Sequence, residues 1–174
     1  MTADFQPTLQ DQNLLLRPLV PTDWDAVYGV ASDPQVWALH PAHDRWQEPV
    51  FRRFFDEAIA SGGALVAINR ANGMIIGSSR YDLTGCEPDE VEIGWTFLAR
   101  SYWGGATNGA MKRLMVNHAL TSFGAVIFRI AESNLRSRRA MEKIGGRLTD
   151  RSQTLEMGGH QIVHLIYVIT APLG

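Results

Sequence analysis

The chain lacks the features of a disulfide-stabilised, secreted or membrane-spanning protein. Its single cysteine, Cys86, cannot form an internal disulfide and lies in a polar loop, where an unreactive thiol is expected. No apolar run approaches the ~18 residues of a membrane span. Residues 1–7 have neither the basic nor the apolar region of a signal peptide. These absences predict a protein of the reducing cytoplasm that does not insert into a membrane.

An excess of positive charge is also missing. Lysine and arginine number 16 against 18 aspartate and glutamate residues, which gives a formal net charge of -2 at pH 7. Because nucleic acid and anionic membranes attract basic proteins, neither is an expected partner. The 174 residues are 45% hydrophobic and 20% charged, which is ordinary for a globular chain, and no linker interrupts them. One domain spanning residues 1–174 is therefore predicted.

The spacing of apolar residues predicts a mixed α/β (α+β) protein with about seven strands and four helices. The strands are predicted at residues 13–19, 64–68, 74–81, 89–98, 125–131, 147–156 and 161–170. The helices are predicted at about residues 22–31, at 49–59, between Gly105 and Phe123, and at 135–144. Asn72-Gly73 and the run 157–160 mark hairpin turns. A helix joins the strand at 89–98 to the strand at 125–131, as in a crossover connection.

The strand at 89–98 carries the first residue of chemical interest. Simple alternation places one set of side chains on one face, namely Val91, Ile93, Trp95 and Phe97. The other face then carries Glu92, Gly94, Thr96 and Leu98. Glu92 is therefore predicted to project opposite the more apolar row.

Two segments at the starts of helices could hold an anionic ligand. Residues 100–108 contain Gly104-Gly105, and such glycines let backbone amides at a helix start approach a phosphate. Taken alone, this segment is more often a plain turn. Residues 134–146 begin with Asn134 and are rich in arginine, and their simplest interpretation is a capped, solvated helix.

Taken together, the motifs resemble those of the GCN5-related N-acetyltransferases (GNAT), and most closely the branch of the ribosomal-protein alanine acetyltransferases (RimJ/RimL type). The matching motifs, in order, are Glu92-Ile93-Gly94-Trp95, Tyr102-Trp103-Gly104-Gly105, Asn134-x-x-Ser137 and Glu142-Lys143-Ile144-Gly145. Leu16-Arg17-Pro18-Leu19, with Asp33-Pro34 and Trp37, is similar to the N-terminal pattern of that branch. The resemblance covers nearly the whole chain.

Two departures from the family pattern stand out. The pyrophosphate loop can be aligned with Tyr102, Gly105 and Thr107 at the family's positions, or with Ser101, Gly104 and Ala106. Both frames stay open. In addition, Gly146 replaces the aromatic residue that usually follows the last glycine of the motif.

The resemblance implies a single-domain GNAT-like fold whose sheet is splayed between the strands at 91–98 and 125–131. It implies acetyl transfer from acetyl-coenzyme A to a primary amine, either a protein N-terminus or a small molecule, without a metal. The family allows a homodimer. The implied cofactor-binding residues are Trp95, Thr96, Phe97, Leu98, Trp103, Gly104, Gly105, Ala106, Thr107, Asn108, Asn134, Arg136, Ser137 and Arg139.

Acetyl transfer requires a neutral amine, and Glu92 is the predicted base that takes its proton, directly or through water. The alternative is that Glu92 is a surface strand residue. The resemblance gives Ser137 as the hydroxyl that protonates the leaving thiolate, although it could equally be a helix-start hydrogen bonder. Many relatives use a tyrosine for this step, and this chain has Met141 at that position. A backbone N–H near Trp95 to Phe97 would stabilise the oxyanion.

The acceptor is expected to contact the N-terminal helical region and the central hairpin. The predicted acceptor-lining residues are Trp37, His40, Arg80 and Tyr81. His40 and His43 have no third partner in view and are not predicted to bind a metal. Two other functions stay open: a non-catalytic coenzyme A-binding module, and an acyltransferase that uses a different acyl-coenzyme A.

Overall fold

A computed structural model of the chain describes residues 3–157 and 159–174. Its strands, in chain order, are β1 (Leu9–Gln10), β2 (Leu14–Pro18), β3 (Ala64–Asn69), β4 (Ile75–Asp82), β5 (Glu90–Leu98), β6 (Ala125–Ala131), β7 (Arg147–Met157) and β8 (His160–Ile169). They form one sheet in the order β1-β2-β3-β4-β5-β6-β8-β7. The predicted mixed α/β class is confirmed.

Among the residues that the structure describes, five helices flank the sheet: α1 (Trp24–Ala31), α2 (Pro34–Trp37), α3 (Glu48–Ser61), α4 (Thr107–Ala119) and α5 (Leu135–Lys143). Apolar residues at helical spacing explain the longer ones. In α3, Phe51, Phe54, Phe55 and Ala58 recur on one face and are buried. The two elements beyond the predicted count are the two-residue β1 and the four-residue α2, which are too short to show a period.

All neighbouring strands are antiparallel except β5 and β6, which are parallel and joined through α4. Their pairing covers three positions and ends at Glu92, which lies opposite Ile127. Beyond this point β5 continues to Leu98 and β6 to Ala131 without pairing to each other. The two strands therefore diverge, and the predicted splay in the middle of the sheet is confirmed.

The sheet separates two apolar cores. One core lies under α4 and includes Met111, Met115, Val91, Ile93 and Leu98. The other core lies under α1, α2 and α3 and contains a cluster of aromatic rings. The buried rings of that cluster are Trp37, Phe51, Phe54, Phe55 and Phe97. We call the two sides of the sheet the α4 face and the α3 face.

A β-bulge in β5 corrects the predicted alternation of this strand. Arg80 and Ser78 of β4 pair with Gly94 and Phe97 of β5. Between these two pairs, two residues of β5 face one residue of β4. Trp95 at the bulge has φ 53°. Because the extra residue reverses the alternation, Phe97 joins the α3-face core with Trp95 against it, whereas Leu98 joins the α4-face core. The predicted single apolar row is wrong beyond Gly94.

Part of the predicted β7–β8 hairpin turn falls on a residue that the structure does not describe. The hairpin turn predicted at residues 157–160 contains Gly158, which lies outside the described residues, as do residues 1 and 2 of the predicted signal-free N-terminus. The two strands that flank Gly158 pair in the antiparallel sense predicted for a hairpin. Within the described part of the chain, no helix is long and apolar enough to cross a membrane.

Candidate active site

The divergence of β5 from β6 exposes one backbone edge of β5. In the described part of the chain, residues 93–98 of β5 have no strand partner on the β6 side. Backbone N–H and C=O groups need hydrogen-bond partners, so this edge can pair with the amides of an extended ligand. The side chains of Phe97 and Leu98 are buried in the two cores. Any ligand contact of these two predicted cofactor residues therefore involves main-chain groups.

The loop that follows β5 presents amides at the start of α4. Residues 103–106 are exposed, and Gly104 has φ 71°, a conformation that glycine adopts without strain. Ala106 precedes the helix and provides no side-chain cap, and the first turn carries no acidic residue. Since the first N–H groups of a helix have no intrahelical partner, Thr107 and Asn108 offer free donors to an anion.

The two alignments of this loop place different side chains near it. The hydroxyl of Tyr102 accepts a hydrogen bond from Asn69 Nδ2 at 2.8 Å, and its ring packs against the α4-face core. Ser101 instead lines a groove of about 790 Å³ that also borders α1 and the hairpin of β3 and β4. Both side chains are directed to other parts of the molecule, so an anion bound at the helix start would contact backbone groups in both alignments.

The start of α5 lies next to this loop. Asn134 is 7% exposed, and its Oδ1 accepts a hydrogen bond from the backbone N–H of Ser137 at 3.2 Å. The hydroxyl of Ser137 forms no hydrogen bond within residues 3–157 and 159–174. Arg136 extends over Trp103, with its Cζ 4.0 Å from the ring centroid, whereas Arg139 is exposed. The structure thus brings the two predicted anion-binding segments together through Arg136 and Trp103.

Glu92 lies at the point where β5 and β6 part. Its side chain is 6% exposed and forms an ion pair with Arg129 of β6, whose side chain is 8% exposed. Arg129 also donates to the carbonyl of Gly85 at 2.6 Å. Burial raises the pKa of Glu92, and the adjacent charge of Arg129 opposes that rise. The burial excludes the alternative in which Glu92 is an exposed strand residue.

A buried polar network lies on the α4 face of the bulge. Lys112 Nζ donates to Thr96 Oγ1 at 2.6 Å, and Thr96 Oγ1 is 2.8 Å from Ser79 Oγ. Lys112 is 5% exposed, and burial lowers the pKa of its ammonium group from 10.5 to about 7. The hydroxyl of Thr96 is therefore engaged with α4, so a cofactor contact at this residue also involves the backbone.

We predict that Lys112→Met stabilises the protein at pH 7 by about 2 kcal/mol. Methionine removes the larger free-energy cost of holding a buried amine deprotonated below its ordinary pKa, and the lost hydrogen bond to Thr96 offsets part of that gain. The folded state holds fewer protons than the unfolded state between pH 7 and 10.5. Wild-type stability should therefore rise with pH across this window, and Lys112→Met should remove that rise. Urea unfolding at several pH values measures both effects. Lys143→Met, at an exposed site, is the control and should change neither.

The four predicted acceptor-lining residues separate into different environments. Trp37 is 2% exposed, donates from its indole to the carbonyl of Ala31 at 2.7 Å, and belongs to the α3-face core. Tyr81 belongs to the opposite core, where its hydroxyl donates to the carbonyl of Met115 at 2.8 Å. As acceptor-lining residues, Trp37 and Tyr81 are corrected to core residues. His40 and Arg80 lie on the α3 face with Glu92.

Sequence reasoning did not identify three basic residues that lie near the candidate site. Arg129 interrupts the apolar run of β6, and Lys112 interrupts the apolar face of α4. A charged residue inside an otherwise apolar pattern was the available signal at both positions. Arg45, which lies between α2 and α3, carried no such signal because its loop has no period.

Comparisons with known proteins agree with the fold described above. Residues 13–147 match the family model described as an acetyltransferase (GNAT) domain. An acetyltransferase (GNAT family) from Bacillus anthracis has a similar structure, with TM-score 0.77 and 19% identity, covering 94% of this chain and 98% of that one. Mycobacterium smegmatis RimJ, solved in complex with CoA-disulfide, is similar with TM-score 0.78 and 20% identity, covering 98% and 90%. A probable acetyltransferase from Chromobacterium violaceum has TM-score 0.83 and 14% identity, covering 98% and 90%. Comparison with curated proteins gives no match.

Proposed function

This chain belongs to the GNAT acetyltransferase family, and we propose that it transfers an acetyl group from acetyl-coenzyme A directly to a primary amine in the opening between β5 and β6. The observation that carries this proposal is the end of β5–β6 pairing at Glu92. At that position an unpaired backbone edge and a buried carboxylate lie together. The backbone edge can bind the thioester donor, and the carboxylate can take a proton from the amine acceptor.

The cofactor would be held mostly by main-chain groups. The free edge of residues 93–98 suits the amides of the pantetheine arm, and the first-turn amides of α4 suit the pyrophosphate. Arg136 and Asn134, at the start of α5, would contact the cofactor from the β6 side, and Arg139 is accessible to a phosphate. When bound, acetyl-coenzyme A supplies an acetyl group activated as a thioester.

Glu92 is the proposed proton acceptor for the amine. A base works best when its pKa lies near the working pH, and burial raises the pKa of this carboxyl. Arg129 holds the carboxylate in place on the β6 side. Ser137 is the proposed proton donor on α5, because its hydroxyl is free within the described residues while its backbone N–H is bound by Asn134.

The cofactor site can be tested by Thr107→Asp at the start of α4. A carboxylate in the first turn suits the helix dipole, so the fold is retained, but it repels a bound phosphate. We expect Thr107→Asp to weaken acetyl-coenzyme A binding about tenfold or more, since one unfavourable charge contact of 1.4 kcal/mol already has that effect. Isothermal titration calorimetry measures the affinity. Thr107→Asn is the uncharged control and should bind within about threefold of the wild type.

Turnover is tested by thiol release from acetyl-coenzyme A across a panel of amines and N-terminal peptides. The proposed function predicts release with at least one primary amine. Saturable cofactor binding without turnover on any amine would favour a coenzyme A-binding module instead. The engagement of Glu92 with Arg129, and the buried Met141 in place of a tyrosine, are the observations that favour this second function. Donors with longer acyl groups separate acetyl from other acyl transfer.

A further inference from the structure

Three arginines near the opening contact aromatic rings and form no ion pair among the described residues. Several arginines of the chain form ion pairs with carboxylates: Arg17, Arg100, Arg113, Arg129 and Arg151. By contrast, Arg45, Arg80 and Arg136 lie over aromatic rings. Within residues 3–157 and 159–174, none of these three has a carboxylate within ion-pairing distance. The α3 face of the opening therefore carries positive charge that the protein itself leaves unpaired.

Arg80 is the most enclosed member of this group. It is 7% exposed, and its Cζ lies 3.6 Å from the centroid of the Trp95 ring. Its Nε is buried without a hydrogen-bond partner in the described part of the chain. A guanidinium group stays protonated in proteins, so this charge cannot be removed by loss of a proton. A buried donor without a partner destabilises the fold. Arg129 Nε is also buried without a partner in the described part of the chain, but the guanidinium of Arg129 is already paired with Glu92. Arg80 is therefore the buried guanidinium that stays available for an acceptor from outside the chain.

His40 and Arg45 present a second pair of donors on the same face of the sheet. The backbone N–H of Ala42 donates to His40 Nδ1 at 2.9 Å, so the neutral ring carries its proton on Nε2. His40 is neutral because burial lowers its pKa to about 3. Its Nε2 lies 3.4 Å from Arg45 Nη1, so two donors face each other without an acceptor between them. Arg45 lies over the rings of Trp37 and Phe54, and the Trp95 ring under Arg80 packs against the same α3-face core.

Within the basic cluster of His40, Arg45 and Arg80, Arg80 is the member next to Glu92. Arg80 pairs with Gly94 across the β4–β5 ladder, two residues from Glu92. A Cβ atom placed on Gly94 would lie 3.2 Å from Glu92 Oε1, so the carboxylate of Glu92 extends over Gly94. The other acidic groups that act on the cluster are Asp44 and Glu57, which are exposed, and Asp82. None of them forms an ion pair with it among the described residues.

We propose that the basic cluster binds a carboxylate of the acceptor, so that the substrates are amines that also carry a carboxylate group. This inference rests on the proposed function, because it assigns the cluster to the acceptor of that reaction. An arginine fork matches the two oxygens of a carboxylate, and His40 adds a third donor. With the carboxylate held at Arg80, the amine of the same molecule is directed toward Glu92.

The position of the cluster separates it from the proposed phosphate site. The pyrophosphate is assigned to the start of α4, beyond the end of β5, whereas Arg80 lies opposite Gly94 in the middle of that strand. A phosphate of the cofactor is nevertheless the other anion that the basic cluster could bind in place of an acceptor carboxylate. The experiment therefore measures acceptor and cofactor dependence separately.

Turnover is measured with pairs of amines that differ only in a carboxylate or a carboxamide, using α-, β- and γ-amino acids and their amides. We expect kcat/KM to be about 100-fold higher for the carboxylate member of at least one pair, since unpaired buried donors reject the neutral analogue. Arg80→Gln should reduce that preference to below about fivefold and leave the KM for acetyl-coenzyme A unchanged. Arg80→Lys, which keeps the charge but not the fork, should retain part of the preference.

A binding measurement makes the test independent of turnover. N-acetylglycine resembles a product that carries the carboxylate, and N-acetylglycinamide lacks the charge. The acid should change the fluorescence of Trp95 in a saturable manner and the amide should not, with Trp95→Phe as the control for the other tryptophans. If Arg80→Gln does not fold by circular dichroism, Arg45→Gln, at a partly exposed loop position, replaces it.

Three outcomes are distinguishable. Equal turnover of acids and amides would overturn the carboxylate site while the proposed acetyl transfer stands. A raised KM for acetyl-coenzyme A in Arg80→Gln with an unchanged acid preference would also overturn it, since the cluster would then bind the cofactor. Saturable N-acetylglycine binding without turnover on any amine would support the anion site while contradicting the proposed function.

Discussion

Glu92→Gln is expected to lower kcat about 100-fold or more at neutral pH, since removal of a general base typically loses a factor of 10²–10⁴. Glutamine has nearly the same shape and can still accept a hydrogen bond from Arg129, but it cannot take a proton from the amine. The acid limb of the kcat/KM profile should also disappear. In the wild type this limb should lie above pH 4.5, because burial raises the pKa of Glu92 above that ordinary value.

Glu90→Gln provides a matched control on the same strand. Glu90 also pairs with an arginine, Arg151, but it lies before the point where β5 and β6 part. Its replacement should leave kcat and the pH profile within about threefold of the wild type, because it does not face the reacting groups. A Glu92→Gln enzyme that keeps its rate and its acid limb would show that another group, or water alone, accepts the proton.

Gly77→Ala is expected to destabilise the protein by about 3 kcal/mol, at the upper end of the usual range for overpacking. Gly77 lies opposite Leu98 in the β4–β5 ladder. A Cβ atom at this position would lie 2.1 Å from the carbonyl oxygen of Phe97 and 2.8 Å from Leu98 Cδ2. Because the nearest contact is with backbone, the strands themselves have to separate. Urea unfolding of the purified variant measures the loss.

Gly29→Ala is the corresponding control in a helix. A Cβ atom on Gly29 of α1 has no neighbouring heavy atom within 4 Å. Alanine is the better helix former, so this variant should gain about 0.5–1 kcal/mol of stability. An unfolding midpoint of Gly77→Ala equal to that of the wild type would mean that β4 and β5 are not held as closely at this position as the structure indicates.

The elements that sequence predicted best have long, regular patterns. The strand predicted at 125–131 coincides with β6, and the helix predicted from Pro49 coincides with most of α3. The GNAT resemblance, based on short motifs in order, is confirmed by the family model over residues 13–147. The splay followed from that resemblance, since no local pattern indicates where two strands stop pairing.

The errors arise where one residue changes the face of a strand. Arg80 and Tyr81 were both predicted to line the acceptor site, yet adjacent residues of a strand point to opposite faces, and Tyr81 faces α4. The bulge at Trp95 has no sequence signature, so the positions of Phe97 and Leu98 could not be derived by alternation. The ion pair of Glu92 with Arg129 joins residues on different strands and depends on their register.

The exposed edge of β5 and the basic cluster differ in how they can change during evolution. The edge is made of peptide groups, which every amino acid supplies, so most substitutions along it leave its hydrogen-bonding pattern intact. The cluster consists of three side chains, and a single codon change in any of them alters its charge or shape. Under the proposed function, descendants of this protein can therefore acquire new acceptors while they retain the same acetyl donor.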